Sequence, residues 1–493
     1  MQQDAAQATE SVNFEARHWW LLALVCGVLF LDGLDVSMVG VALPSIGSEL
    51  GMEPSSLQWV VSAYILGYGG LLLLGGRAAD LLGRRRVLLG GLAVFLVASF
   101  IGGLANDGST LIATRFIKGA AAAFTAPAGL SIVTSSFAEG PARNKALSIY
   151  AAVGASGWSL GLVFGGALTE LGWRYTFFLP VPIALAILLL VPRYLAKDDP
   201  AEKVTRKQFD FAGTGTLAVA MLGLVYTIVE APDVGWGSAQ TLLAFAGVTL
   251  LLSAFVLIEQ RSAEPLIRLG ILRSAALRRA NYGAMALLGS WFGFQFIGTL
   301  YMQNLRGWSP IEMALAFLPA GLIVAYGSTR MSAVVNRIGT TLPIGAGLIS
   351  LALAYTLFLN IGADSGYFSA MLPTFILSGI GFTLAFGPLT VAATSGVSND
   401  EQGLASGLVY TSFQLGGAVG LAVATAVIDA GTAGSGAAPG SSAALLDGFQ
   451  SGIIVSVVIA AIGVAVTLSP LFRRLLNPGR VAVATGSEGD GSG

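Results

Sequence analysis

Two acidic residues interrupt a long apolar segment near the start of the chain. The stretch LFLDGLDVSMVGVALP, residues 29–44, contains Asp32 and Asp35. Near the centre of a bilayer each acid costs roughly 2.5 to 3.5 kcal/mol, whereas a Leu, Val or Phe contributes only about 0.3 to 0.6 kcal/mol toward insertion. The two acids therefore nearly cancel the insertion tendency of the thirteen Leu, Val and Phe residues between positions 21 and 43. A function other than folding stability is the expected reason for their presence.

The spacing of these acids predicts reversible proton binding. Residues three apart lie on one helix face, and two carboxylates that close in a low dielectric repel each other, so one of them should take up a proton readily. The alternatives are that Asp32 reaches outside water or that an acid pairs with a base. Two bases lie in the fourth apolar segment: Arg115 is the expected partner of an intramembrane carboxylate or of backbone carbonyls, and Lys118 is interpreted equally well as a snorkelling residue.

The composition places these residues in a polytopic membrane protein. The chain has 493 residues, of which 55% are hydrophobic and 11% charged, against about a quarter charged in soluble proteins. Most apolar runs approach the roughly 20 residues that cross a hydrocarbon core as a helix. The sequence predicts fourteen helices, near 20–43, 57–76, 87–105, 109–134, 146–169, 174–192, 211–230, 241–258, 280–304, 310–330, 340–359, 368–392, 403–429 and 448–470.

The distribution of Lys and Arg predicts the orientation of these helices. Of the 26 basic residues, 22 lie in the two tails and the even-numbered gaps and two in odd-numbered gaps; the other two, Arg115 and Lys118, lie inside the fourth helix. Because cytoplasmic loops carry the excess of basic residues, both termini should be cytoplasmic. We expect the first apolar run to be an uncleaved helix and the protein to lie in the cytoplasmic (inner) membrane.

The lengths of the charged gaps divide the chain into two six-helix bundles and a linker. A weak repeat aligns Asp80 with Asn336 and Gly83 with Gly339, and parallel halves of this kind are typical of transporters that rock around a central site. The predicted units are a cytoplasmic tail (1–19), an N-terminal bundle (20–192), two linker helices with flanking cytoplasmic loops (193–279), a C-terminal bundle (280–470) and a disordered cytoplasmic tail (471–493).

A charged turn follows the second helix. Gly76, Asp80, Gly83, Arg84 and Arg85 combine glycines that permit a tight turn, an acid that can cap or pair, and bases that favour the cytoplasmic face. An ordinary positive-inside turn would also contain such residues. The pattern resembles the G-x-x-x-D-x-x-G-R-R signature of the major facilitator superfamily, and the resemblance implies a latch between conformations.

Helices one and four carry further family-like motifs. The stretch DVSMVGVALP resembles D-x-T-x-V-N-V-A-L-P of the fourteen-helix drug:proton antiporter branch, with Asp35 on the motif's acid and Gly40 in place of Asn. Arg115 and Gly119 match R-x-x-x-G-x-x-x-A. The resemblance implies that Arg115 belongs to a proton relay.

Helix five carries Gly157, Gly161 and Gly165 at four-residue spacing. Such a face lets two helices approach backbone to backbone, and we expect it to form a sliding or sealing surface between the halves. It resembles the antiporter signature G-x-x-x-G-P-x-x-G-G, with Leu162 at the position where the signature has proline.

Other chemistry has no counterpart in the sequence. The chain has no G-x-x-x-x-G-K-[ST] loop, one cysteine and one histidine, so we expect no enzyme, metal or cofactor, no nucleic-acid partner, and a proton gradient as the energy source. Apolar walls with few polar anchors would suit an amphiphile pocket. The candidates for such a pocket, each of which could equally be a packing residue, are Trp158, Trp291, Phe294, Gln295, Gln303, Tyr410 and Gln414.

These observations predict a monomeric, bacterial proton-coupled antiporter that exports hydrophobic or cationic amphiphiles in multidrug or natural-product efflux and antibiotic resistance. Asp32 and Asp35 would bind the proton and the substrate in turn, and Arg115 would tune them. The alternatives are an importer or symporter of a small solute on the same fold, because fold does not fix function, or a membrane sensor.

Overall fold

Long apolar helices make up most of the part of the chain that the structure describes. The computed structural model describes residues 14–137, 141–195, 211–262, 269–397, 402–438 and 440–476. Within these ranges, fourteen helical spans are long and apolar enough to cross a membrane, and the predicted all-helical fold is confirmed. They are α1 (Ala16–Leu50), α2 (Pro54–Leu82), α3 (Arg84–Gly103), α4 (Gly108–Ser136), α5 (Pro141–Leu171), α6 (Arg174–Tyr194), α7 (Phe211–Val234), α8 (Ala239–Arg261), α9 (Ala275–Leu305), α10 (Pro310–Ser328), α11 (Thr341–Phe358), α12 (Tyr367–Thr394), α13 (Gln402–Gly434) and α14 (Ser442–Leu476).

Several helices are longer than their apolar cores. Helix α1 begins at Ala16, inside the predicted tail, and continues to Leu50. Helix α14 continues to Leu476, so the prediction of disorder is wrong for residues 471–476. Hydropathy detects only the part of a helix that suits lipid, whereas backbone hydrogen bonding continues through polar turns. The rest of the predicted C-terminal tail, residues 477–493, lies outside the described residues.

Close backbone contacts hold each half together. A Cβ on Gly75 of α2 would lie 2.0 Å from the carbonyl oxygen of Ala123 in α4. In the second half, a Cβ on Gly420 of α13 would lie 2.1 Å from the carbonyl oxygen of Gly289 in α9. Only glycine fits at such crossings. Because lipid provides no hydrophobic driving force between helices, the dispersion contacts between these close backbones help to hold the helices together.

The two halves, α1–α6 and α9–α14, meet along two helix pairs. Helix α2 packs against α13, and α5 packs against α10. Gly69 of α2 lies against the side chain of Gln414 in α13, with a distance of 2.8 Å between an added Cβ and Gln414 Cβ. Any movement of one half against the other must therefore separate or slide these two pairs.

Helices α7 and α8 lie beside this pair of halves. Leu217 of α7 and Phe255 of α8 pack with Leu73 of α2 and Leu404 of α13. Helix α8 leaves much of its surface uncovered, and Leu243 is 72% exposed. This arrangement suits a helix whose outer side faces lipid.

The predicted repeat has a counterpart in backbone geometry. Gly83 follows α2 with φ 96°, and Gly339 follows the short helix Met331–Ile338 with φ 74°. Both φ values lie in a region that side chains other than glycine adopt only with strain. The two halves thus make the corresponding turn with a glycine at the aligned position.

Candidate functional site

Asp35 lies at the centre of a buried ionic cluster. Its side chain is 0% exposed, and each carboxylate oxygen accepts a hydrogen bond from a base of α4. Arg115 Nη1 donates to Oδ2, and Lys118 Nζ donates to Oδ1. The two bases are three residues apart, which places both on the face of α4 that meets α1. One carboxylate therefore binds two cations.

The guanidinium of Arg115 is also fixed by α2. Its Nε donates to the carbonyl oxygen of Val60 at 2.8 Å, and its central carbon lies 4.5 Å from the ring centroid of Tyr64. A carboxylate, a carbonyl and an aromatic face are all favourable partners for a cation. Arg115 thereby links α1, α2 and α4.

Lys118 is enclosed in the first half. Its side chain is 0% exposed, and the interpretation of Lys118 as a snorkelling residue is wrong. Besides bonding Asp35, Nζ donates to Ser99 Oγ at 2.9 Å and lies 4.7 Å and 5.0 Å from the ring centroids of Phe95 and Phe177. These partners come from α1, α3 and α6, so the ammonium is surrounded on several sides.

Asp32 differs from Asp35 although only one helical turn separates them. Its side chain is 6% exposed, and its Oδ2 has no hydrogen-bond partner among the described residues. Asp32 is therefore largely enclosed in this conformation. A buried carboxyl group without fixed partners can change its protonation state without breaking an ion pair, whereas protonating Asp35 would disturb two.

The arginines of the α2–α3 turn bind helix ends within their own half. Arg84 Nη1 donates to the carbonyl oxygen of Ser131 in α4 at 3.4 Å. Arg85 Nη1 donates to the carbonyl oxygen of Leu195, directly after α6, at 2.9 Å. Cations near the carbonyl ends of helices are favourable because of the helix dipole.

The remaining members of the predicted latch have simpler surroundings or lie outside the described side chains. An added Cβ on Gly76 would lie 3.8 Å from Pro127 Cβ, an ordinary contact. The side chain of Asp80 lies outside the described residues. The role of this turn as a conformational latch stays a prediction.

The glycine face of α5 packs on α1, so the prediction that it seals the two halves is wrong. Because both helices belong to the first half, the glycines fix α1 rather than the interface. Added Cβ atoms on Gly157, Gly161 and Gly165 would lie 2.5 Å from Phe30 O, 2.7 Å from Leu34 O and 2.8 Å from Met38 Cα.

Other residues of α5 meet the second half. Ser159 Oγ donates to the carbonyl oxygen of Gly321 in α10 at 3.0 Å. An added Cβ on Gly166 would lie 2.9 Å from the Cα of Ile311, also in α10. Ser159 and Gly166 lie on the side of α5 roughly opposite the glycine stripe, since a helix turns by about 100° per residue.

We expect Gly161→Ala to destabilise the protein. The new methyl group would overlap the backbone of Leu34 and the side chain of Ser37, and overpacking of this kind costs about 1 to 3 kcal/mol. Thermal unfolding of the detergent-solubilised protein measures the change. Gly90→Ala in α3 is the matched control, because an added Cβ there meets nothing within 4 Å. Equal melting temperatures for the two variants would contradict the packing account.

A small cavity separates the two halves near α1 and α9. Its volume is about 20 Å³, which is room for a water molecule and not for an amphiphile. Of the seven predicted pocket residues, Gln295 lines this cavity, and Gln295 Oε1 has no hydrogen-bond partner among the described residues. The lining consists of Val36, Gly40, Leu43, Val61, Phe292, Gln295, Phe296, Thr299 and Leu421.

Phe294 is a packing residue instead. It is 0% exposed, and its ring lies 4.7 Å from that of Tyr355 and 5.2 Å from that of Phe358, centroid to centroid. These neighbours belong to α11 in the same half. The prediction of Phe294 as a pocket residue is therefore wrong, since its position along α9 points it into the helix bundle.

The other predicted pocket residues have partners in both halves. Gln303 Nε2 donates to the carbonyl oxygen of Val41 across the interface at 2.9 Å. Trp158 contacts Phe292 across the same interface. Within the second half, Trp291 packs on Phe382 and Tyr410 on Phe413, while Gln414 packs on Gly69 of α2.

The fold and site together define a polytopic membrane protein with two helical halves and a buried charge cluster in one of them. The chain belongs to the Major Facilitator Superfamily, whose model matches residues 25–421. It is a multi-pass protein of a bacterial cell membrane, and membership in this family of transporters confirms the interpretation that the chain is not an enzyme.

Relatives extend over nearly the full length. The chain is 38% identical to the cephamycin export protein CmcT of Amycolatopsis lactamdurans, over 94% of this chain and 95% of that protein. It is 36% identical to the puromycin resistance protein pur8 of Streptomyces alboniger, over 90% and 89%. Among solved structures, a bacterial homologue of the human lysosomal transporter Spinster, inward-facing and unoccupied, matches with a TM-score of 0.65 and 15% identity, over 92% of this chain and 97% of that one.

Proposed function

We propose that this protein exports small amphiphilic compounds from the bacterial cell in exchange for protons. Its relatives include proteins named for cephamycin export and for puromycin resistance, and the similarity extends over nine-tenths of this chain. Export by a secondary transporter needs an ion whose binding is linked to that of the substrate. The buried acids of α1 supply a group that can bind a proton.

The unequal surroundings of the two acids support this coupling. Asp35 binds two buried bases, so it remains a carboxylate and holds α1 against α4. Asp32 is nearly as buried, yet its Oδ2 has no bonding partner among the described residues. These surroundings support different roles for the two acids: Asp32 exchanges the proton, and Asp35 holds α1 and α4 together around it.

In the proposed cycle, Asp32 takes up a proton when the cluster is open to the outside. It releases the proton to the cytoplasm when the halves have moved along α2–α13 and α5–α10. Substrate binds on the cytoplasmic side when Asp32 is deprotonated and leaves on the outer side when the acid is protonated again. Each ligand shifts the protein toward the conformation that it binds more tightly, which couples the two movements.

Everted membrane vesicles test the direction of exchange. With an acidic interior established by respiration, addition of a cephamycin or of puromycin outside should release protons from vesicles that contain the wild-type protein, detected as recovery of a quenched pH-sensitive dye. Importers and symporters would require the compound on the other side and would give no recovery. A pure sensor would give no flux in proteoliposomes that contain only this protein. Absence of proton release with every tested amphiphile in folded, reconstituted protein would contradict the proposal.

A further inference from the structure

Four charged side chains are buried in the interior of α1–α6 and α9–α14, among the side chains that the structure describes. Asp32, Asp35, Arg115 and Lys118 are 6%, 0%, 1% and 0% exposed. In the twelve helices α1–α6 and α9–α14, every other Asp, Glu, Lys or Arg lies within two turns of a helix end. The net charge in the middle of these helices is therefore determined by these four side chains.

Lys118 has the surroundings that suit an ammonium ion. It donates to the carboxylate of Asp35 and to Ser99 Oγ, while two phenylalanine rings present aromatic faces at about cation–π distance. Ser99 Oγ donates a hydrogen bond to the carbonyl oxygen of Phe177 at 2.8 Å, so its oxygen is oriented to accept from Lys118. This set of partners stabilises a positive charge.

Lys118, the second base, changes the net charge of the cluster. Arg115 and Lys118 together balance Asp35 and Asp32, so the cluster is neutral when both acids are ionised and carries one positive charge when Asp32 is protonated. With Arg115 alone, the same cluster would carry one negative charge and become neutral on protonation. The site as built never has a net negative charge with which to attract a cation.

We infer that Lys118 makes this transporter selective for uncharged or anionic amphiphiles and against permanent cations. The inference rests on the proposed function, which it refines, and it replaces the cationic part of the substrate class expected from the sequence. A permanent cation bound between the halves, in a conformation in which they stand further apart than here, would add to a neutral or positive interior, where charges interact more strongly than in water. An anion would be attracted whenever Asp32 is protonated.

The test uses two ions of the same size and shape, tetraphenylborate and tetraphenylphosphonium. Their binding to the purified protein in a neutral detergent is measured without a proton gradient. Wild type should bind the borate at least tenfold more tightly than the phosphonium. Lys118→Gln should lower this preference for the borate at least tenfold, whereas Lys118→Arg should retain it. The control is Lys145→Gln, the same substitution near the start of α5, which should leave the preference at the wild-type value.

Two results would overturn the inference. One is tighter binding of the phosphonium by wild type, which decides the question even if Lys118→Gln does not fold. The other is an unchanged preference in folded Lys118→Gln. A failure of proton coupling would appear separately, as loss of proton release in everted vesicles with the anion preference intact.

Discussion

Asp32→Asn should abolish proton exchange while leaving a folded protein that still binds its substrate. The amide has nearly the shape of the carboxyl group but cannot take up and release a proton in this range. Substrate-driven proton release from everted vesicles should fall to the level of vesicles without the protein. Exchange of labelled substrate for unlabelled substrate, which needs no net proton movement, should continue.

Glu49→Gln is the matched control for this variant. Glu49 lies on the same helix, but it pairs with Arg174 and its side chain is 52% exposed. Glu49→Gln should leave proton release at the wild-type level, because an exposed ion pair contributes little to the stability of the fold. Coupled proton release at the wild-type rate in Asp32→Asn would remove Asp32 from the mechanism.

Asp35→Asn should unfold or strongly destabilise the protein. Loss of this carboxylate leaves the two buried cations Arg115 and Lys118 without the partner that both now bond. Removing one partner of a buried ion pair costs about 3 to 5 kcal/mol, a large part of the stability of a typical domain. Thermal unfolding in detergent measures this loss.

The Asp35→Asn prediction has a control variant and a rescue variant. Asp32→Asn makes the same chemical change one turn away and should keep the wild-type melting temperature or raise it, because it breaks no ion pair. Adding Lys118→Gln to Asp35→Asn removes one of the two buried cations that have lost their bonding partner and should recover part of the lost stability. If Asp35→Asn melts at the same temperature as Asp32→Asn, the two acids do not have the distinct roles assigned here.

The architecture could be predicted because few physical quantities determine it. Apolar runs of spanning length and the alternation of Lys and Arg fixed the number of helices, and the structure has that number. The ends of α1 and α14 could not be placed, since backbone hydrogen bonds continue into polar turns that hydropathy does not distinguish from loops.

The ionic cluster could be predicted only in part. The sequence pointed to Arg115 as partner of an intramembrane carboxylate, and the structure brings it to Asp35. It held a usable signal for Lys118 as well, because a base three residues from Arg115 shares its helix face. Ser99 and the rings of Phe95 and Phe177 had no such signal, as they come from α3 and α6 and meet Lys118 only through tertiary packing.

The glycine face of α5 shows the same limit. Four-residue spacing of Gly157, Gly161 and Gly165 predicts that some backbone approaches closely. It does not identify the partner, which is α1 rather than a helix of the other half. Partner choice depends on how the whole bundle is arranged, and this information is not contained in one helix.

Infrared difference spectroscopy of the purified protein between acidic and alkaline pH tests most directly whether Asp32 holds the exchangeable proton. A protonated carboxyl group in an apolar interior gives a separate C=O stretching band, which needs no substrate to be observed. We predict such a band in wild type and in Glu49→Gln, and its loss in Asp32→Asn. Persistence of the band in Asp32→Asn would show that another acid carries the proton and would contradict the account.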